Sequence, residues 1–123
     1  MAKITRNLIR YFVSYFVIRV SNFKMAGIYI HIPFCKQACN YCNFYFSTSL
    51  GNKEKFIGAL LREIELSKEY LECEAIETLY LGGGTPTQLS IEDLNAIVEK
   101  LTAYYNLNGL KEFTIEANPD DLK

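Results

Sequence analysis

The sequence predicts an α/β fold in which parallel strands alternate with helices. Three observations carry this prediction: short apolar runs that suit strands, longer segments with apolar residues at helical spacing between them, and connections long enough for crossovers between parallel strands. Because such crossovers are right-handed in nearly all proteins, we expect the order β-loop-α-β-loop-α-β. This is the opening of a parallel α/β barrel or of an open sheet. It leaves an edge of the sheet without a neighbour, so we expect these residues to be a fragment of a longer protein or a truncated reading frame.

The first strand is expected from Gly27 to Phe34, where the letters GIYIHIPF alternate. Isoleucines recur on one face of this strand, and Tyr29 and His31 share the other face. A lone histidine is usually a satisfied core residue. Beside the cysteine loop that follows, we instead expect His31 or Tyr29 to form a hydrogen bond near a bound group.

Two helices and two further strands are expected after the cysteine loop. Residues 53–71 carry apolar side chains at helical spacing, and residues 75–81 form an apolar run that stops at three glycines. Ser90 and Asp93 are typical of a capping box at the start of a second helix, which runs to about residue 104. A third strand is expected over residues 111–117.

Residues 1–24 are expected to be a basic, apolar extension outside the fold, which leaves residues 25–123 as the folded domain. The extension holds five basic and no acidic side chains, and its apolar run from Leu8 to Val20 is too short and too charged to cross a bilayer. A transit peptide or a helix on a membrane surface is the alternative. Membrane contact is therefore expected only through residues 1–24, if at all.

The charge of the predicted domain bears on its partners. Residues 25–123 contain eight basic and fourteen acidic side chains, although the whole chain has a net charge of only −1. An acidic domain without a basic stripe repels a phosphate backbone, so we expect no nucleic-acid partner.

Three cysteines follow the first strand in one short loop. Cys35, Cys39 and Cys42 have the spacing CxxxCxxC. Three thiolates can bind three irons of a cubane cluster, which leaves the fourth iron open to another ligand. Cysteines bunched in this way, without a secretory leader, also favour a reducing compartment, and we expect the cytoplasm.

Zinc is the alternative occupant of this loop, and it needs a fourth ligand. Cys73 and His31 are the candidates, and neither has a position in the sequence that is typical of a zinc site. We interpret Cys73 as a small hydrophobic or incidental thiol, since free cysteine is commonly buried without a function.

The cysteine loop, with the aromatic Tyr41 before its last cysteine, resembles the signature of the radical S-adenosylmethionine (SAM) superfamily. The words YIHIPFC, LYLGGGTPT and IEANP, in that order over residues 29–119, resemble the oxygen-independent coproporphyrinogen III oxidase-like family, and in particular its heme chaperone branch. The resemblance covers residues 26–123 and implies the opening of a partial TIM-type barrel. The nucleotide-binding patterns GxGxxG and GxxxxGK are absent.

The resemblance implies two cofactors, a [4Fe-4S] cluster on the three cysteines and SAM on the open iron. In that family an electron from the cluster cleaves SAM to methionine and a 5′-deoxyadenosyl radical, so no side chain is assigned a catalytic role. The residues implied or expected to contact SAM or the cluster are Tyr29, His31, Tyr41, Gly83, Gly84, Thr85 and Glu116.

One departure separates the two activities of this family. The oxidases carry a further cysteine two places after the third ligand, where this chain has Phe44. Phenylalanine has no thiol, so the resemblance favours heme binding and transfer to an acceptor protein over oxidative decarboxylation of coproporphyrinogen III. Heme or porphyrin, bound beyond residue 123, and a heme-acceptor protein are the implied partners. A cluster-holding electron-transfer module without radical chemistry is the remaining alternative, and the 123 residues alone are expected to be inactive.

Overall fold

A computed structural model describes residues 15–16, 26–71 and 75–121. They form one four-stranded sheet in the order β1-β2-β3-β4, with a helix in each of the last two connections. Except for residues 15–16, the extension predicted over residues 1–24 lies outside the described residues, as does Cys73. The strands are β1 (Tyr15–Phe16), β2 (Ala26–Ile32), β3 (Ile76–Gly83) and β4 (Glu112–Ile115), and the helices are α1 (Lys53–Leu66) and α2 (Ile91–Tyr104).

The three main strands are parallel, as the sequence predicts. Strand β2 pairs with β3 from Ala26 to Ile32, and β3 pairs with β4. Helix α1 connects β2 to β3, and α2 connects β3 to β4. The described residues of the extension pair antiparallel with the other edge of β2, where Tyr15 lies opposite Ile30. The predicted α/β class is therefore confirmed.

The core lies between the two helices and one face of the sheet. The isoleucines of β2, with Leu79 and Leu81 of β3, pack there against Leu60 of α1 and Ile97 of α2, and all are almost fully buried. Burying one such side chain stabilises a fold by about 1.5–3 kcal/mol. The opposite face of β2, which carries Tyr29 and His31, therefore points away from this core, as the alternation in the sequence predicts.

Several element boundaries differ from the sequence prediction. Strand β2 is Ala26–Ile32 rather than Gly27 to Phe34, and β4 is Glu112–Ile115 rather than residues 111–117. Helix α1 ends at Leu66 rather than near Leu71, because Ser67 begins a turn in which the Tyr70 N–H donates to the Ser67 carbonyl. Leu71 is nevertheless buried, which explains why its apolar character continued the helical pattern. Strand β3 continues through Gly83, because its pairing with β2 extends to that residue.

The predicted capping box of α2 is present. The Asp93 N–H donates to the Ser90 hydroxyl at 3.2 Å, and the Ser90 N–H donates to the Asp93 carboxylate at 3.1 Å. The same carboxylate pairs with Lys53 at 2.6 Å, so it also connects the first residue of α1 to the start of α2. Helix α1 lacks such a cap, because the Asn52 side chain makes no hydrogen bond to the helix.

We find no helix within residues 26–71 and 75–121 that is long and apolar enough to cross a bilayer.

Candidate functional site

A cavity of about 490 Å³ opens at the carboxyl ends of the parallel strands. This is the edge of a parallel sheet at which ligands usually bind, and the volume is in the range of small-molecule sites. Its lining combines the cysteine loop, the turn after β3 and the segment after β4. The lining residues are Cys35, Lys36, Gln37, Cys39, Tyr41, Cys42, Gly83, Gly84, Thr85, Glu116, Ala117, Asn118 and Pro119.

The cysteine loop leaves the end of β2 and returns to it. The Cys35 N–H donates to the Ser47 carbonyl at 3.0 Å, and the Ser47 N–H donates to the Pro33 carbonyl at 2.7 Å. Within the loop, the Cys42 N–H donates to the Cys39 carbonyl at 3.1 Å. All three cysteines are free thiols of intermediate exposure. The backbone therefore gathers them at one end of the cavity.

The surroundings of Cys35 oppose its ionisation in the metal-free chain. Burial raises the pKa of this thiol above its ordinary value, a hydrogen bond with the Thr85 side chain opposes that rise, and the neighbouring cysteines add to it. Metal binding reverses this balance, because a bound cation favours the thiolate. The loop thus has the donor chemistry of a metal site whose occupation releases protons.

The cysteines do not converge on a single point. No group of three or more His, Cys, Asp or Glu side chains in the described part of the chain is arranged to hold one metal ion. A cubane cluster does not require that arrangement, because its cysteines bind different irons. Three thiolates beside an open cavity therefore fit such a cluster.

Gly84 brings the turn after β3 against the cysteine loop. Its N–H donates to the Ile32 carbonyl at 2.7 Å, and the Thr85 N–H donates to the Phe34 carbonyl at 2.7 Å. A Cβ at Gly84 would lie 2.6 Å from the Phe34 carbonyl oxygen and 2.9 Å from Cys35 Sγ, closer than real Cβ contacts. Glycine is needed at this position because the cysteine loop occupies the space.

The other two glycines also face protein atoms. Gly83 has a φ of 109°, and a Cβ there would lie 2.6 Å from the His31 ring. A Cβ at Gly82 would lie 2.6 Å from the Tyr80 ring and 3.1 Å from the Glu116 carboxylate. Close packing within the chain is therefore a reason for glycine at each of these positions.

Glu116 is fixed by bonds to both carboxylate oxygens. The Tyr80 hydroxyl donates to Oε1 at 2.6 Å, and the Gly83 N–H donates to Oε2 at 3.0 Å. The Glu116 N–H also donates to the Leu81 carbonyl at 3.0 Å. The hydrogen bond to this carboxylate is the main cause that raises the pKa of Tyr80. An oriented carboxylate with unused lone pairs therefore lines the cavity.

Tyr29 and His31 lie beside this arrangement rather than in the lining of the cavity. The Tyr29 hydroxyl is 3.2 Å from His31 Nδ1, and the Tyr29 ring contacts that of Tyr80 with centroids 5.6 Å apart. Burial is the main cause that raises the pKa of Tyr29, followed by the charge of Glu116. The two residues support Gly83 and Tyr80, and direct contact with a ligand stays a prediction for both.

Eight of the predicted site residues meet at the cavity: the three cysteines, Tyr41, Gly83, Gly84, Thr85 and Glu116. Sequence reasoning missed Tyr80, although its alternation with Gly82 on β3 could have placed it on the same face as Glu116. It also missed the contact of Lys36 with Asp121, because no local pattern pairs residues so far apart in the chain.

The chain is similar to known proteins over most of its described length. The model of the Radical SAM superfamily matches residues 29–123. The heme chaperone HemW of Lactococcus lactis subsp. lactis is 39% identical over 100 residues, and that of Bacillus subtilis is 40% identical over 101. These alignments cover 80% of this chain and 25% and 26% of the two relatives. The chain thus spans about a quarter of the length of these curated relatives.

Oxidases are among the similar proteins as well. The oxygen-independent coproporphyrinogen III oxidase of Pseudomonas aeruginosa is 36% identical over 98 residues, which are 76% of this chain and 21% of the oxidase. The solved structure of the Escherichia coli coproporphyrinogen III oxidase HemN, described as a radical SAM enzyme, superposes with a TM-score of 0.69 at 28% identity. It covers 77% of this chain and 22% of the oxidase, so the parallel sheet and its helices match the start of that barrel.

Proposed function

The chain belongs to the radical SAM superfamily, and from this premise we propose that its cysteine loop binds a [4Fe-4S] cluster and that the adjoining cavity binds SAM. Membership of the family implies both groups. The observation that carries the proposal for these residues is the single cavity that joins the three cysteines to Gly83, Gly84, Thr85 and Glu116.

The donor set suits both groups. Cys35, Cys39 and Cys42 would hold three irons of the cluster, which would leave its fourth iron without a protein ligand and open to SAM. Glu116 offers a fixed carboxylate to a positively charged or hydroxyl-bearing part of SAM, and Tyr41 offers an aromatic ring that is 87% exposed beside the cysteines. When bound, the cluster and SAM together supply one-electron radical chemistry.

The chain's own residues position and orient these groups. Gly84 lets the turn after β3 lie against Cys35, while Tyr80 and the Gly83 N–H hold the Glu116 carboxylate. Positions fixed before binding reduce the entropy lost when a ligand binds. The cavity is open to solvent on the side of Tyr41, so these residues alone do not exclude water.

Metal and sulfide analysis tests the cluster directly. After anaerobic reconstitution with iron and sulfide, we expect about four irons and four sulfides per chain. Replacement of one ligand, Cys42→Ala, is expected to reduce this content, while Cys73→Ala is expected to leave it unchanged. Stoichiometric zinc in place of iron would contradict the proposal.

For the whole protein we propose the heme chaperone role: heme binding and transfer to an acceptor protein in the reducing cytoplasm. Phe44 supports the chaperone role, because the oxidases of this family have a cysteine at that place. The identity of 39–40% to two proteins named heme chaperones supports it as well. The second candidate is oxidative decarboxylation, which the structural likeness to an oxidase favours.

Two assays separate these candidates when they use one reconstituted preparation of the whole protein, because the implied heme site lies beyond residue 123. We expect no decarboxylation of coproporphyrinogen III in the presence of SAM and a reductant, under conditions in which the Pseudomonas aeruginosa oxidase is active. Hemin titration supplies the positive assay, because a stoichiometric shift of the Soret band supports heme binding. Decarboxylated product would instead identify an oxidase.

A further inference from the structure

Asp121 connects two walls of the cavity. Its carboxylate pairs through Oδ1 with the Lys36 ammonium group, and it accepts a hydrogen bond from the Thr87 hydroxyl through Oδ2 at 2.6 Å. Lys36 directly follows Cys35 in the cysteine loop, and Thr87 lies in the short 3₁₀ helix after the glycines. One side chain therefore joins the cysteine loop to the glycine side of the site.

The charges and the burial of this contact favour a stable bond. The Lys36 and Thr87 hydrogen bonds are the first causes that lower the pKa of Asp121, so its carboxylate is ionised at neutral pH. The Asp121 side chain is only 13% exposed, while that of Lys36 is 45% exposed. A charge-assisted bond that is partly shielded from water is stronger than an open surface pair.

We propose that Asp121 is a positioning residue that holds the cysteine loop against the turn after β3, in the geometry that the cofactor site needs. Backbone bonds fix the loop at its root, where Cys35 meets Ser47. Lys36 extends this attachment to the segment after β4, to which Asp121 belongs. We call the contact of Lys36, Asp121 and Thr87 the clamp. Its purpose rests on the proposed function, but the contact itself is made by side chains of this chain.

Asp120 provides a matched control. It carries the same charge one residue away and is exposed, and its side chain takes part in no ion pair or hydrogen bond within residues 26–71 and 75–121. Asp120→Asn and Asp121→Asn therefore remove the same charge, but only the second removes the clamp.

Thiol reactivity tests the clamp without any cluster. In the metal-free chain under anaerobic conditions, alkylation of each cysteine by iodoacetamide is followed by mass spectrometry. We expect Asp121→Asn to accelerate alkylation of Cys39 and Cys42 about fivefold, the effect of losing a favourable partly exposed ion pair. Asp120→Asn is expected to match the wild type. Equal rates in the two variants would overturn the proposal.

Lys36 variants distinguish positioning from general destabilisation. Lys36→Met should reproduce the faster alkylation, Lys36→Arg should restore the wild-type rate, and the double variant Lys36→Met/Asp121→Asn should add little to either single change. Additive effects of the two substitutions would contradict a shared clamp, even if both variants are less stable.

SAM binding to the reconstituted chain tests whether the clamp positions the cofactor site. We expect Asp121→Asn to retain the cluster but to need about fivefold more SAM for half of the SAM-induced spectral change. Asp120→Asn is expected to match the wild type. Unchanged SAM affinity in Asp121→Asn would overturn the positioning role. If the wild type forms no cluster, the proposed function fails, and the alkylation rates still decide whether the clamp exists.

Discussion

At the scale of single residues, the backbone of Gly83 constrains the site most directly. Its φ of 109° lies in a region that side chains rarely adopt, and the His31 ring fills the space where a Cβ would project. Its N–H also holds Glu116. The residue is therefore fixed by backbone conformation, packing and hydrogen bonding together.

We expect Gly83→Ala to lower the free energy of unfolding by about 1–3 kcal/mol, through backbone strain and the clash with His31. Gly58 is the control, because it lies inside α1 with no atom within 4 Å of a Cβ built there. Gly58→Ala should raise stability by about 0.5–1 kcal/mol. Urea denaturation of both variants measures the difference, and equal destabilisation of the two would contradict this view of Gly83.

Tyr80 and Glu116 form the second contact with a measurable consequence. Since the raised pKa of Tyr80 favours the protonated hydroxyl in the folded chain, the stabilising effect of this bond is complete below about pH 10 and is lost as the pH rises through that higher pKa. We expect Glu116→Gln to lower the pKa of Tyr80. Ultraviolet titration of tyrosine ionisation, with Tyr80→Phe to identify the component, measures the shift. A Tyr80 titration that Glu116→Gln leaves in place would refute the assignment.

At the scale of elements, the sequence predicted the helices better than their ends. The Ser90 capping box was visible because a side-chain cap depends on local spacing, which a single chain displays. The end of α1 was not visible in the sequence, because Leu71 continues the apolar pattern. Leu71 is buried, but it follows a turn and is not part of the helix. The last residues of β3 escaped prediction for a related reason: glycines signal a loop locally, while pairing with β2 extends the strand.

The two helix starts give an element-scale prediction. Ser90→Ala should cost about 1 kcal/mol of stability, because it removes one half of the capping box. Asn52→Ala at the start of α1 should cost much less, because the Asn52 side chain makes no cap hydrogen bond. Thermal denaturation followed by circular dichroism compares the two variants. Equal losses would show that the capping box contributes no more than an ordinary surface side chain.

At the scale of the whole molecule, the site depends on three segments that the sheet brings together. The sequence predicted most members of the cavity, because the cysteine loop, the glycines and Glu116 each lie at or just after the end of a strand, and parallel strands end at one edge. It could not predict Asp121 as the partner of Lys36, because that contact depends on the path of the chain after β4. Tyr29 and His31 lie on the face of β2 that the alternation predicts, but they are not among the residues that line the cavity.

The sheet is unevenly covered, which gives a prediction about stability. Leu81 is fully buried, whereas Phe113 on neighbouring β4 is 45% exposed. We expect Leu81→Ala to cost about 2–5 kcal/mol, as for other buried leucines, and Phe113→Ala to cost distinctly less despite the larger side chain. Chemical denaturation of both variants tests this order. A larger loss for Phe113→Ala would contradict the described coverage of β4.

The proposed function depends above all on the three cysteines holding one [4Fe-4S] cluster with an iron open to SAM. The most direct test is electron paramagnetic resonance of the anaerobically reconstituted and reduced chain, with and without SAM, in the wild type, in Cys39→Ala and in the control Cys73→Ala. We expect a [4Fe-4S] signal that SAM alters, that Cys39→Ala loses and that Cys73→Ala retains. A cluster signal that is indifferent to SAM, or one that survives in Cys39→Ala, would contradict the proposed cofactor site.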